Sequence, residues 1–179
     1  MKSIHHDQEK LILQAVHSNK FLPVIFSHLK KDGRGTRELW ILFLCKLLQI
    51  NTSSSFRNEV IEQVTSLPYT TWSYKRMIYL EFINIVVDYI SKKLFWIHFL
   101  DSYFMLSKDK WANIIIKFCL VTPKIFRKVS YDDSRNKERI INILKSMKDN
   151  DKNKWTVRDT VEQTYAKLLN LRIISIDQK

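Results

Sequence analysis

Apolar side chains recur along this chain at three- and four-residue intervals, in blocks broken by short polar segments. One block reads Leu39, Trp40, Phe43, Leu44, Leu47, Leu48; another reads Val60, Ile61, Val64; a third reads Phe95, Trp96, Phe99, Tyr103. That spacing keeps apolar groups on one side of a helix and fits no strand, where alternate residues face opposite ways. The breaks are Lys31-Asp-Gly-Arg-Gly35, Asn51-Thr-Ser-Ser-Ser55, Leu67-Pro-Tyr69, Ser107-Lys-Asp109 and Asp149 to Lys154. The pattern predicts helices over 21–31, 37–49 behind a Thr36 cap, 56–66, 72–90, 92–106, 110–121 behind an Asp109 cap, 135–148 and 155–171. A further capping helix is predicted over 7–18, opened by Asp7. Thr122-Pro123 is expected to end the sixth of these, because proline lacks the N–H that a helix interior uses. The β-branched run around Ile78, Ile83, Ile85, Val86 and Val87 is too long, and too far from strict alternation, for a strand.

The helices fall into four antiparallel pairs, about 20–50, 56–90, 92–122 and 134–171. The last is the clearest: Ile140 to Lys148, a turn carrying Asp149 and Asp151, then Trp155-Thr-Val-Arg158. Aligning the turns inside the pairs brings Arg37, Arg76, Ile115 and Arg158 to one position, at spacings of 39, 39 and 43 residues. Asp32, Asp109 and Asp151 precede three of those positions, while Tyr69-Thr-Thr71 occupies the second turn. Trp40, Trp72, Trp111 and Trp155 cluster near the starts of the same helices without strict register. A fixed period near 40 residues is the mark of stacked helical repeats, in which one pair cannot bury its apolar faces alone. The expected fold is therefore all-α, a right-handed α-solenoid of about four antiparallel helix pairs. In that fold the Asp caps a second helix and the Arg reaches a carboxylate of the neighbouring turn, making a ladder across the repeats.

Composition narrows the function more than the fold. Two Gly and three Pro in 179 residues leave few positions for tight turns and none for a glycine-rich phosphate loop. The five histidines, His5, His6, His17, His28 and His98, show no zinc-hydrolase spacing, and the carboxylate pairs lie in turns where capping explains them. The expectation is a non-catalytic protein with no cofactor and no metal. Cys45 and Cys119 lie inside apolar stretches with no partner spacing, so both are expected as buried thiols in a reducing compartment. No stretch is apolar enough to span a bilayer, and the N-terminus lacks a signal-peptide core, which predicts a cytoplasmic or nuclear protein without membrane contact. The net charge of +12 favours acidic partners, nucleic acid among them.

Asp-x-x-x-Trp-x-Val-Arg after an apolar first helix resembles a HEAT repeat. The stretch Trp72 to Leu169 resembles two or three consecutive units of the scaffold and regulatory subunits of type 2A and type 4 serine/threonine protein phosphatases. It carries Trp72, Arg76 and Phe82, then Leu94-Phe-Trp-x-x-Phe-Leu100, then Lys108-Asp-x-x-x-Asn113-Ile114, Pro123 and Lys148-Asp-Asn-Asp151. Ile115 in place of an Arg, the missing Asp in the second turn and the small number of units depart from that pattern. The resemblance implies a scaffold or adaptor that binds another protein, with a phosphatase catalytic subunit as the implied partner. Its contacts would come from Arg34, Arg37, Trp72, Arg76, Lys110, Trp111, Trp155 and Arg158, with the Arg residues serving the ladder first. The alternative is a nucleic-acid-binding helical repeat using Lys108, Lys110, Lys117, Lys124, Arg127 and Lys128, with Trp111 and Tyr131 for stacking.

Overall fold

The computed structural model describes residues 21–50, 54–128, 134–149 and 154–176, with the side chains at 21, 34, 50 and 171–176 outside that description. The expected helix over 7–18 lies outside it too. The fold is all-α: among the described residues there are nine helices, two short 3-10 turns and no strand. Phe21–Lys31 (α1) and Arg34–Ile50 (α2) make the first pair. Ser54–Ser66 (α3) leads through a 3-10 turn at Leu67–Tyr69 into Ser73–Val86 (α4). Lys92–His98 (α5) and Leu100–Met105 (α6) lead through a second 3-10 turn at Leu106–Lys108 into Ala112–Lys128 (α7). Ser134–Lys148 (α8) and Trp155–Ile176 (α9) follow.

The second helices form a row in chain order, α2 against α4, α4 against α7, and α7 against α9. The first helices lie alongside it, with α1 on α2 and α4, and α8 on α7 and α9. Each contact follows from an apolar stripe. Val157, Val161 and Leu168 of α9, at intervals of four and seven, are buried, as are Ile41, Leu44, Cys45 and Leu48 of α2. Burying one such side chain stabilises by about 1.5–3 kcal/mol. Helix α4 is enclosed on most of its circumference, from Ile78 through Ile83 and including Arg76 and Glu81. That is why its sequence is apolar nearly all round and looks strand-like when read alone.

Several boundaries differ from the sequence reading: α3 starts at Ser54 rather than 56, α7 at Ala112 rather than at 110 directly behind Asp109, and α9 runs to Ile176 rather than 171. Helix α2 starts at Arg34 rather than behind a Thr36 cap, because the Arg37 N–H already donates to the Gly33 carbonyl at 3.0 Å. Helix α4 stops at Val86 rather than about Ile90; Asp88 and Tyr89 N–H groups turn back to the carbonyls three residues earlier, before Ser91 caps α5. The helix expected over 92–106 is kinked at Phe99, although the Phe99 and Tyr103 N–H groups still reach the carbonyls of Phe95 and Phe99 at 2.9 and 3.0 Å. The Phe99 carbonyl also accepts from the Tyr79 hydroxyl at 2.9 Å and the Ser102 hydroxyl at 3.1 Å, so three donors converge on it at the break.

Pro123 does not end its helix; α7 continues to Lys128. Proline at 123 removes the N–H that would bond the Cys119 carbonyl, and the Thr164 hydroxyl of α9 lies 3.5 Å from that carbonyl instead. One residue earlier, the Thr122 and Tyr103 hydroxyls both donate to the Phe118 carbonyl at 2.8 Å and lie 2.7 Å apart. With Val121, Thr122, Pro123, Ile125 and Phe126 all buried, packing on both sides carries the helix past the proline. The two cysteines are unpaired and buried, and burial pushes each thiol up to about 12.

Candidate functional site

The edge where the second helices begin holds most of the sequence-predicted site residues, and the Arg rungs fix its geometry. Arg37 donates from Nε to Glu81 Oε2 at 2.8 Å and from Nη2 to Oε1 at 3.5 Å, while Nη1 reaches the Asp32 carbonyl at 3.4 Å. Arg76 makes the same kind of contact at the start of α4: Nε to Asp109 Oδ2 at 2.5 Å, Nη2 to Oδ1 at 3.2 Å, Nη1 to the Thr70 carbonyl at 2.7 Å. Each guanidinium thus ties its own turn to a carboxylate further along the chain, using the paired geometry that only Arg offers. Asp109 also accepts the Trp111 N–H at 2.9 Å, so one carboxylate holds the turn and takes the rung. The second turn has no Asp, so Arg37 turns to Glu81, the single acidic residue of α4. Glu81 escaped the sequence reading because it sits inside a helix rather than in a turn.

Beyond Arg76 the ladder changes. Ile115 is buried at the third position and offers no fork. Arg158 is exposed at the fourth and has no carboxylate partner among the described residues. The Arg34 side chain lies outside the described residues. Of the arginines expected to contact a partner, Arg37 and Arg76 are therefore spent inside the protein and Arg158 faces solvent.

The tryptophans divide in the same manner. Trp40 is half-buried, stacks on His28 with ring centres 4.8 Å apart and donates to Asp32 at 3.1 Å. Trp72, Trp111 and Trp155 are 62, 49 and 72% exposed. Tyr69 and Tyr74 are exposed beside Trp72, and neither was singled out from the sequence. Lys110 is exposed on the same edge, as is Lys154, another residue the sequence reading passed over. A cleft of about 670 Å³ opens here, lined by Lys110, Trp111, Asn113, Ile115, Lys154 and Val157 among others. A second, of about 610 Å³, lies on the far side of Asp109 and Ile115, against Lys108, Arg135, Ile143 and Met147.

The six cations of the nucleic-acid alternative are not gathered into one patch. Lys108 and Lys110 lie before α7, and Arg127 and Lys128 end it, about 25 Å away along a 17-residue helix. Lys117 lines a shallow groove with Met77, Glu81, Ile116 and Leu120. Lys124 is paired with Asp88 at 2.7 Å and also donates to the Asn84 carbonyl. Acidic groups therefore interrupt the basic run on that face. Tyr131 lies outside the described residues. Among the described residues no three His, Cys, Asp or Glu side chains are grouped to hold a metal ion, and no helix is long and apolar enough to cross a membrane.

No protein-family model, curated protein or solved structure matches this chain.

Proposed function

We propose that this chain is a non-catalytic helical-repeat adaptor, a short right-handed HEAT-type solenoid that docks another protein along the edge where its second helices begin. The observation that carries this reading is the exposure of Trp72, Trp111 and Trp155 at or just ahead of the starts of their helices, while Trp40 and Trp96 are partly buried and Trp40 is hydrogen-bonded. Exposed large aromatic side chains gathered on one edge are the usual anchors of protein interfaces. The row of second helices and the two Arg rungs supply the stiff backing such an edge needs, because a preorganised surface loses little entropy on binding. Arg158 and Lys110 would frame the anchors, while Arg37 and Arg76 would act through the scaffold.

The resemblance to phosphatase regulatory subunits makes a serine/threonine phosphatase catalytic subunit the first partner to test. Purified chain is immobilised and offered that subunit, alongside Trp72→Ala and Trp155→Ala variants whose melting curves are unchanged. Retention by the native chain and loss of at least tenfold in affinity for the variants is the expected result. Equal retention of native and variant chains refutes the edge, and no retention by the native chain removes the phosphatase as partner. The charge of +12 makes a single-stranded oligonucleotide the control; binding it at about 50 mM salt with the subunit ignored would favour the nucleic-acid reading.

A further inference from the structure

The broken rung of the ladder is also where the structure opens. At the first two junctions the space between successive turns is crossed by an Arg fork, Arg37 to Glu81 and Arg76 to Asp109. At the third, the equivalent residue is Ile115, whose apolar side chain can make no such fork. Instead Ile115 and Val157 floor the cleft of about 670 Å³, Trp111 walls it, and Lys110 and Lys154 flank it. Neither lysine side chain has an ion-pair or hydrogen-bond partner among the described residues. Among the described residues the one carboxylate lining this cleft, Asp109, is already committed to Arg76 and to the Trp111 N–H. The amino ends of α7 and α9 meet here as well, and the partial positive charge of both adds to that of the lysines.

We infer that this cleft receives an acidic, apolar-flanked linear segment of the partner protein, its carboxylates against Lys110 and Lys154 and an apolar side chain on Ile115 and Val157 beside Trp111. The inference rests on the protein-docking reading above and names the chemistry that one part of the edge selects. Charge complementarity decides the occupant: two cations with no partner among the described residues and two helix amino ends face a space whose own described anion is already paired. A nucleic acid fits less well, since its phosphates need a continuous cationic track and the cleft lining is interrupted by Asp109, Ile115 and Val157.

The test uses the full chain and a short fluorescein-labelled peptide of alternating Glu and Phe or Leu, with Lys-for-Glu and Ser-for-Phe peptides and a single-stranded oligonucleotide as comparisons. Anisotropy should show the Glu peptide bound more weakly as salt rises, and both altered peptides bound at least tenfold less. The K110E/K154E double variant and Trp111→Ala, all changes at exposed side chains, should each lower affinity for the Glu peptide about tenfold while Ile97→Ala, an exposed apolar change away from the cleft, leaves it unchanged. Equal binding of the Glu peptide by native and K110E/K154E chains, or tighter binding of the oligonucleotide than of the peptide, overturns the inference. The docking reading is separable: a phosphatase subunit still captured through Trp72 and Trp155 while the Glu peptide is ignored would sink the cleft proposal alone, and loss of both would sink both.

Discussion

Replacing Arg76 with Met should be among the most damaging single changes this chain can suffer away from its apolar core. The Arg76 and Asp109 side chains are 7 and 5% exposed, so removing the cation leaves a carboxylate shielded from water with only the Trp111 N–H to satisfy it. The Thr70 carbonyl loses its donor in the same step. Breaking a buried pair by deleting one partner costs about 3–5 kcal/mol, against a total stability on the order of 5–15 kcal/mol for a domain. At roughly 2–4 °C per kcal/mol for a chain of this size, the melting point should fall by about 10 °C. Urea unfolding followed by helical circular dichroism reads the loss directly. The double change Arg76→Met with Asp109→Asn should recover part of it, because the neutral amide needs no counter-charge. Arg76→Lys should also lose stability, since an ammonium keeps the charge but not the fork. A loss below about 1 kcal/mol for Arg76→Met is what an exposed pair would show, and it would refute the argument that this rung clamps successive units.

Two substitutions and a pH titration test the buried polar groups. Tyr103→Phe removes a fully buried hydroxyl that donates to the Phe118 carbonyl, and should cost about 1–3 kcal/mol in urea unfolding with no change in helical content. Thr164→Val should cost about 1 kcal/mol in the native chain and markedly less in a Pro123→Ala background, where the replacement restores the backbone N–H that the Cys119 carbonyl lacks. Stability should also fall on the alkaline side. The thiols of Cys45 and Cys119 move from 9.0 to about 12, and burial raises Tyr79 and Tyr103 above 10.0. Groups raised on folding give their full stabilisation below the unfolded pKa and lose it as pH rises through the folded one. The free energy of unfolding should therefore be insensitive to these groups near neutrality and decline from about pH 9 towards 12. Alkylation by iodoacetamide at pH 8 should require unfolding.

Much of the helical framework was readable because local signals and burial agree over most of the chain. Asp109 and Arg76 could be paired from sequence because an acid and an arginine sit at fixed places in successive turns. Glu81 could not, since nothing local separates a helical Glu facing solvent from one that completes a rung. The end assigned at Pro123 followed a sound local rule that tertiary packing overrode: α7 is held from Val121 to Phe126 by burial on both sides. At the break the Phe99 carbonyl takes a hydroxyl from Tyr79, twenty residues away, and no window around Phe99 contains that contact. The tryptophans show the limit most directly. Trp40, inside α2, has His28 and Asp32 to cover it, whereas Trp72, just ahead of α4, is exposed, and neither residue's own neighbourhood in the sequence says which is which.

The central claim, a docking edge at the starts of the second helices, is most directly tested by a hydrogen-exchange footprint. The chain is measured free and bound to a serine/threonine phosphatase catalytic subunit. Slowed exchange should be confined to the segments around 69–76, 108–115 and 154–160, with the α2, α4 and α7 residues around Leu42, Asn84 and Leu120 unchanged. Protection centred on those latter residues, with the turns around Trp72, Trp111 and Trp155 unaffected, would contradict it.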